Sequence, residues 1–286
     1  MVMKMPEKPK EHLFGETFWK EEGGEKWVKN IELLENELVH LGQLLLERCN
    51  VSPGELVLDV GCGGGVTSLA LADRTGPSGR VVGADVSALI LEVAKKRGQG
   101  IENLEFKISD AGNDDLGMES FDLVTSRFGL MFFTRPVAAF CNLRRMLKAE
   151  GRMVFLCWRT FEENPWMAEP TAAVFSILPQ PERPAPDPDA PGPFSLGEAN
   201  RLQFVMKSAG FREVSLEPVD TAMNLGDMEE AIYMATQIGP AAKALEEATE
   251  EKRTAAVKTL QALLKKYETS EGVCVPGACW LVAARK

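Results

Sequence analysis

Leu56-Val-Leu-Asp59-Val-Gly61-Cys62-Gly63-Gly64-Gly65-Val66 is the stretch from which the fold can be read. Its first five residues, Leu56–Val60 (LVLDV), form a continuous apolar run of the kind buried on both faces of a parallel sheet. Gly61–Gly65 then suits a tight turn, and Val66–Asp73 (VTSLALAD) opens a helix. Gly61, Gly63 and Gly65 let the backbone come close to a ligand that a Cβ would hold off. In doubly wound sheets such a turn lies at the carboxyl ends of the strands, where ligands bind.

The same alternation continues outward. Arg80–Asp85 is a second strand, followed by a helix over Ala88–Arg97. Leu104–Ile108 and Phe121–Thr125 are strands three and four, Pro136–Leu147 a helix with proline at its favoured first position, and Arg152–Trp158 strand five. Repeated strand–helix units imply right-handed crossovers, hence an α/β fold with a doubly wound, mostly parallel sheet. Upstream, Ile31, Leu34, Leu38, Leu41 and Leu45 recur at spacings of three and four, which predicts one amphipathic helix from about Glu25 to Arg48.

Downstream the pattern changes. Leu178–Phe194 (LPQPERPAPDPDAPGPF) is too rich in proline for a helix or inner strand and reads as an extended connector. Helices are expected at Leu196–Ala209, 227–238 and 240–268, the last opening at Pro240, with strands at Glu213–Val219 and Cys279–Ala284. The organisation expected is a core from 51–160, 197–220 and 273–286, an N-terminal helical segment 1–50, a Pro-rich connector 161–196 and a helical insertion 226–270. The three non-core segments are expected to fold over the carboxyl edge of the sheet.

Composition narrows the function. Of the 286 residues, 32 are Lys or Arg against 42 Asp or Glu, a net charge of −10. With no basic cluster, such a chain repels phosphate backbones, so nucleic acid is not expected as a partner. No apolar stretch approaches the roughly 20 residues that span a bilayer, so membrane insertion is not expected. The first residues lack the apolar core of a secretory signal, and the six cysteines form no C-x-x-C pair, which makes the cytoplasm the expected compartment. With only His12 and His40 available, neither a metal site nor a histidine triad is suggested.

The turn has carboxylates around it. Asp59 stands two residues before the first glycine, and Asp85 lies twenty residues after Gly65 at the end of the second strand, where it can accept ribose hydroxyls. The dinucleotide fingerprint G-x-G-x-x-G fails, because Val66 occupies the third glycine's place. Asp59 would also repel a pyrophosphate, whereas it suits a cationic ligand. This D-x-G-x-G-x-G arrangement resembles motif I of the class I S-adenosylmethionine-dependent methyltransferases, and the likeness extends over most of the chain. RFGLMFF (Arg127–Phe133) and NPW (Asn164–Trp166) are similar to a bacterial branch near the quinone-type enzymes. Ala149-Glu150 departs from the family, which commonly has Pro-Gly there.

The resemblance implies a Rossmann-like methyltransferase fold with a seven-stranded sheet, and S-adenosyl-L-methionine as cofactor. It assigns cofactor contacts to Asp59, Gly61, Cys62, Gly63, Gly65, Asp85, Val86, Ser87, Asp110, Ala111, Ser126 and Arg127, with Asp110 reading the adenine amine. Trp19, Trp27, Phe128, Met131, Trp158 and Trp166 suit the walls of an apolar acceptor pocket, or else simple core packing. No side chain stands out as a general base; His40 and Arg127 are the candidates, each with a structural alternative, as a satisfied histidine and as a clamp on loop carbonyls. Asp59 could instead hold its own loop and Asp85 a helix N-terminus. Cys62 reads as a small loop residue rather than a nucleophile, since nothing near it in sequence would activate it. The expected function is methyl transfer to a small, largely apolar, quinone-like or secondary-metabolite acceptor. The alternatives are a protein that binds S-adenosylmethionine without transferring its methyl group and, disfavoured by Val66, a nicotinamide oxidoreductase. A homodimer is compatible with the sequence, which does not fix the oligomeric state.

Overall fold

The computed structural model describes residues 14–180, 187, 189–239 and 241–286. His12, Pro240 and part of the proline tract (181–186 and 188) lie outside the described residues. Five parallel strands form the first part of the sheet: β1 (Leu56–Val60), β2 (Arg80–Asp85), β3 (Leu104–Ile108), β4 (Phe121–Arg127) and β5 (Leu147–Trp158). Two long antiparallel strands, β6 (Arg212–Asn224) and β8 (Gly272–Arg285), complete it in the order β3-β2-β1-β4-β5-β8-β6. The expected seven strands are present, with an eighth of two residues, β7 (Glu268–Thr269), paired only to β8.

Burial explains the order. Val57 and Leu58 of β1 and Leu123 and Val124 of β4 have no exposure, so these uniformly apolar strands occupy the centre. β6 alternates exposed and half-buried residues and carries Pro218, as an edge strand can. Two helices connect β1–β3, α5 (Val66–Thr75) and α6 (Ala88–Arg97), and α7 (Pro136–Met146) leads into β5. The start of α6 is fixed by Ser87, whose hydroxyl accepts from the Ile90 amide. α9 (Ala199–Ser208) precedes β6. Among the described residues no helix is long and apolar enough to cross a membrane.

Several expected elements need correction. The single helix over 25–48 is three helices, α2 (Glu22–Lys29), α3 (Ile31–Glu37) and α4 (Val39–Cys49), after a short α1 (Glu16–Lys20). At the first break the Asn30 side-chain amide donates to the Lys26 carbonyl at 2.8 Å, competing with the helix ladder. The apolar stripe still points inward: Ile31, Leu34, Leu38, Leu41 and Leu45 are all buried. The helix expected over 240–268 is α11 (Ala242–Glu247) and α12 (Glu250–Leu264), separated where Thr249 caps the second by accepting from the Lys252 amide. α10 (Met228–Gln237) matches its expectation and starts with a capping box between Asp227 and Glu230. The stretch assigned to a connector, 161–196, contains a helix, α8 (Pro165–Phe175), with Pro165 in its first turn. Both final strands outrun their expected limits, because Pro276 and Gly277 interrupt the apolar pattern without ending the pairing. Ala149 and Glu150 sit in an exposed bulge of β5, between the Leu147–Phe121 and Arg152–Leu123 pairs.

Candidate active site

The turn after β1 is held by two bonds to the neighbouring strand. The Gly61 and Cys62 amides both donate to the Ala84 carbonyl, at 2.8 and 3.1 Å. Gly61 has φ +64°, and a Cβ on it would stand 2.8 Å from the Gly129 Cα; a Cβ on Gly129 would lie 2.7 Å from the Val60 carbonyl. Two glycines from separate strands thus allow the ends of β1 and β4 to touch. Ser126 ties the same contact, donating to the Val60 carbonyl at 2.6 Å and accepting from the Gly129 amide at 3.1 Å.

Gly64 meets a different neighbour. A Cβ there would lie 2.5 Å from Glu35 Oε1, 2.6 Å from Ile31 Cδ1 and 2.7 Å from Arg97 Nη1, so α3 is laid directly on the turn. Arg97 closes the layer, bonding Glu35 at 2.7 Å and the Gly64 carbonyl at 3.0 Å. α2 packs beside it: a Cβ on Gly24 would stand 2.6 Å from Ser87 Oγ.

A cavity of about 1250 Å³ opens in front of the strand ends. Asp59, Gly61, Cys62, Gly63 and Gly64 line it, as do Asp85, Val86, Asp110 and Ala111. Asp59 is 1% exposed; its Oδ2 accepts from Ser68 at 2.6 Å, while Oδ1 is buried with no hydrogen-bond partner among the described residues. Burial raises its carboxyl to about 7, with the Ser68 bond and the Arg127 charge acting the other way. The Asp85 carboxylate accepts from the amides of Gly63 (3.0 Å) and Ser87 (2.9 Å), and burial raises it despite these bonds. Each of its oxygens keeps a lone pair.

Asp110 is engaged within its own loop. Its two oxygens accept from the Gly112 amide at 2.9 Å and from the Asn113 side chain, so the carboxylate is turned back on its own loop.

Three expected cofactor contacts lie outside the cavity lining. Gly65 is the N-cap of α5, where a Cβ would run into Phe106 at 2.8 Å. Ser87 is fully buried as the α6 cap, and the Ser126 hydroxyl is used as described above. His40 is exposed, bonds Thr221 at 2.5 Å and does not line the cavity, so it is no candidate base. Cys62 packs with Leu91, Ala94 and Phe106, and burial pushes its thiol well up, which leaves it unreactive. Arg127 combines both its readings: Nη1 reaches the Leu38 carbonyl at 3.4 Å, and the guanidinium also lines the cavity near Asp59.

Aromatic side chains form much of the remaining wall. Phe128 stacks on Trp158 with centroids 4.1 Å apart, and Trp166 lies 5.0 Å from Trp158. Phe128 has φ +62°, strain of about 1–3 kcal/mol for such a side chain, held by this stack and by its amide on the Leu156 carbonyl. The Trp166 indole donates to Asn164, a fully buried residue that also grips Ala278 on β8. Beside the glycine turn, where a Cβ on Gly63 would lie 3.9 Å from Trp27 Nε1, Trp19 contacts Trp27 and Phe132, at 5.8 and 4.8 Å. The indole nitrogens of Trp19 and Trp27 are buried without a partner among the described residues. Met131 completes the wall, its sulfur accepting from the Trp158 amide.

Sequence reasoning passed over Gly64, Gly129, Glu35 and Glu37. Glu37 is 7% exposed and lines the cavity. Its signal was available: a charged residue three after Leu34 and four before Leu41 interrupts an apolar stripe.

Residues 52–177 match the family model described as a methyltransferase domain. A demethylmenaquinone methyltransferase of Staphylococcus epidermidis is 36% identical over 112 residues, 39% of this chain and 46% of that protein. The chain thus matches about half the length of such relatives. Among solved structures, the YcgJ protein of Bacillus subtilis has a TM-score of 0.57 at 18% identity, covering 86% of this chain and 98% of that one. Phosphoethanolamine N-methyltransferase 2 of Haemonchus contortus, in complex with S-adenosyl-L-methionine, reaches 0.60 at 17% identity, covering 95% and 59%. With the open 3-2-1-4-5-8-6 sheet and the glycine turn flanked by Asp59 and Asp85, these matches identify residues 52–177 as a methyltransferase domain of the class I, S-adenosylmethionine-dependent family.

Proposed function

We propose that this chain transfers the methyl group of S-adenosylmethionine to a small, largely apolar acceptor, quinone-like or a similar ring compound. The observation that carries this reading is the orphaned Asp59 Oδ1, buried beside a side-chain-free turn in a cavity that aromatic rings also line. A buried carboxylate oxygen without a donor is costly unless a cation or donor completes it. A ligand carrying a sulfonium and an ammonium fits that requirement. The volume also fits two ligands, since about 1250 Å³ exceeds the ~300–1,000 Å³ typical of one small-molecule site.

On this reading each residue takes a role that its surroundings allow. Asp85, held by the Gly63 and Ser87 amides, offers its free lone pairs to ribose hydroxyls. The loop 109–112 faces the adenine, with the buried Ala111 as its wall and Asp110 stiffening the loop. Arg127 presents guanidinium donors to the cofactor's carboxylate, while Asp59 balances its ammonium. Phe128, Met131, Trp158 and Trp166 hold the acceptor and exclude water. When bound, S-adenosylmethionine supplies an activated methyl group for in-line displacement. The protein's share is alignment of the two ligands, worth up to ~7–11 kcal/mol. A net charge of −10 further favours a small-molecule partner over a nucleic acid.

The test is calorimetry with S-adenosylhomocysteine and NAD, followed by an assay of S-adenosylhomocysteine formation with 1,4-naphthohydroquinone and related phenols. Preference for the former ligand with acceptor-dependent turnover is expected. Binding without consumption of S-adenosylmethionine across the acceptor panel would favour a non-methylating role, and preference for NAD would end the reading.

A further inference from the structure

Within that methyltransferase reading, we infer that Glu37 is the proton acceptor of the acceptor subsite, the carboxylate that takes the hydroxyl or enolic proton of the substrate as its methyl group arrives. Three observations meet at this residue. It is buried, it lines the cavity, and among the described residues it makes no hydrogen bond or ion pair. A carboxyl group placed so gains nothing for the fold, where a glutamine or leucine would sit at lower free energy.

Its position suits the task. Helix α3 supplies Leu34, Glu35 and Glu37 to the cavity wall, with Ile31 and Glu35 packed over Gly64. Where α3 ends, the Leu38 carbonyl meets Arg127 on β4. Glu37 lies two residues beyond Glu35, about 3 Å further along the axis, and directly before Leu38. Leu34 and Leu38 flank it in the wall.

Of the charged groups on the elements packed around it, Lys29 on α2 donates to Gln237 at 3.4 Å, and several others are paired elsewhere. Lys26 on α2 pairs with Glu22 at 2.7 Å, and Glu35 on α3 itself with Arg97 at 2.7 Å. On β6, Glu217 pairs with Arg48 at 2.5 Å and Asp220 with Arg159 at 2.7 Å. His40 on α4 holds Thr221, and Arg127 holds the Leu38 carbonyl. Burial alone therefore acts on Glu37 and lifts its carboxyl to about 7, the range in which a general base works best at neutral pH. Asp59, the other carboxyl raised so far, is committed to Ser68.

The step balances. The acceptor's O–H or C–H bond breaks and its proton goes to a Glu37 oxygen. The electron pair left on the acceptor forms the new bond to the methyl carbon, while the pair of the C–S bond stays on sulfur. One negative and one positive charge are removed together, and Glu37 returns its proton to water once the product has left.

The experiment uses the full chain loaded with S-adenosylhomocysteine and 1-naphthol as the hydroxyl-bearing probe, with binding followed by fluorescence across neutral pH. In the wild type the affinity should rise about tenfold as pH passes about 7, because the carboxylate accepts the naphthol proton in a charge-assisted bond. In Glu37→Gln the profile should be flat, with unchanged affinity for S-adenosylhomocysteine and no loss of thermal stability. With 1,4-naphthohydroquinone, kcat should fall about 100-fold with little change in KM, and Glu37→Asp should recover part of it. An identical pH profile in Glu37→Gln, or no 1-naphthol binding to the loaded wild type, overturns the inference. A drop in S-adenosylhomocysteine affinity would make Glu37 a cofactor ligand instead and overturn it too. Failure of the wild type to bind S-adenosylhomocysteine at all would refute the methyltransferase reading rather than the role of Glu37.

Discussion

Replacing Asp59 by asparagine separates what the carboxylate does for the fold from what it does for a ligand. Asp59→Asn keeps the size and shape of the side chain, and its amide oxygen can still accept from the Ser68 hydroxyl. In the folded, ligand-free protein the Asp59 carboxyl is raised from an ordinary 3.8 to about 7 by complete burial. The sign is fixed by linkage: the folded state holds this proton more tightly, so the protein loses stability as pH rises from 3.8 to about 7 and carries the full penalty above that. The difference works out at about 4 kcal/mol. Asp59→Asn has no such penalty. Its advantage over wild type should be near zero around pH 4 and reach roughly 3–4 kcal/mol at pH 8, or about 5–10 °C in Tm for a chain of this size. The Glu37 contribution is common to both proteins and cancels. Calorimetric unfolding at several pH values measures this. Titration with S-adenosylhomocysteine at pH 8 should then show the opposite, a loss of affinity of about tenfold or more, because the ammonium loses its counter-charge. A Tm difference that is independent of pH, or unchanged ligand affinity, would refute the account of Asp59 as a site-directed buried charge.

Other substitutions test the remaining parts. Asp85→Ala removes the acceptor for the ribose hydroxyls and the anchor of the Gly63 amide, so S-adenosylhomocysteine affinity should fall by at least about 100-fold by calorimetry, whereas an unchanged Kd would reject the contact. Gly64→Ala places a methyl group 2.5 Å from Glu35 and should displace α3, seen as faster amide exchange over residues 31–37 and a stability loss of about 1–3 kcal/mol. Trp158→Ala removes the ring between Phe128 and Trp166; a stability loss of about 3–5 kcal/mol is expected, with KM for an aromatic acceptor raised while S-adenosylhomocysteine affinity holds.

The sheet and the cofactor half of the site were legible in the sequence because they depend on local spacing. A parallel strand is an apolar run with a turn at its carboxyl end, and successive strand ends fall side by side in a doubly wound sheet. Asp59, Asp85 and the glycines could therefore be placed together from their positions alone. Periodicity also gave the buried face of residues 31–45, but not the breaks at Asn30 and Leu38, since a stripe at spacings of three and four can persist through a bend. Ser126 and Ser87 were drawn toward the ligand by their places in the family pattern; their hydroxyls are used up by Val60, Gly129 and Ile90.

What only the tertiary structure decided is where α3 lies. Its seat on Gly64, its tie to Arg127 and the resulting burial of Glu37 come from contacts between residues far apart in the chain. The meeting of Gly61 with Gly129 is of the same kind. Spacing along a chain fixes which face a side chain takes within its own helix or strand; whether that face meets water, a ligand or another backbone depends on packing between elements, and that packing leaves the Glu37 carboxyl group on the cavity wall without a partner among the described residues.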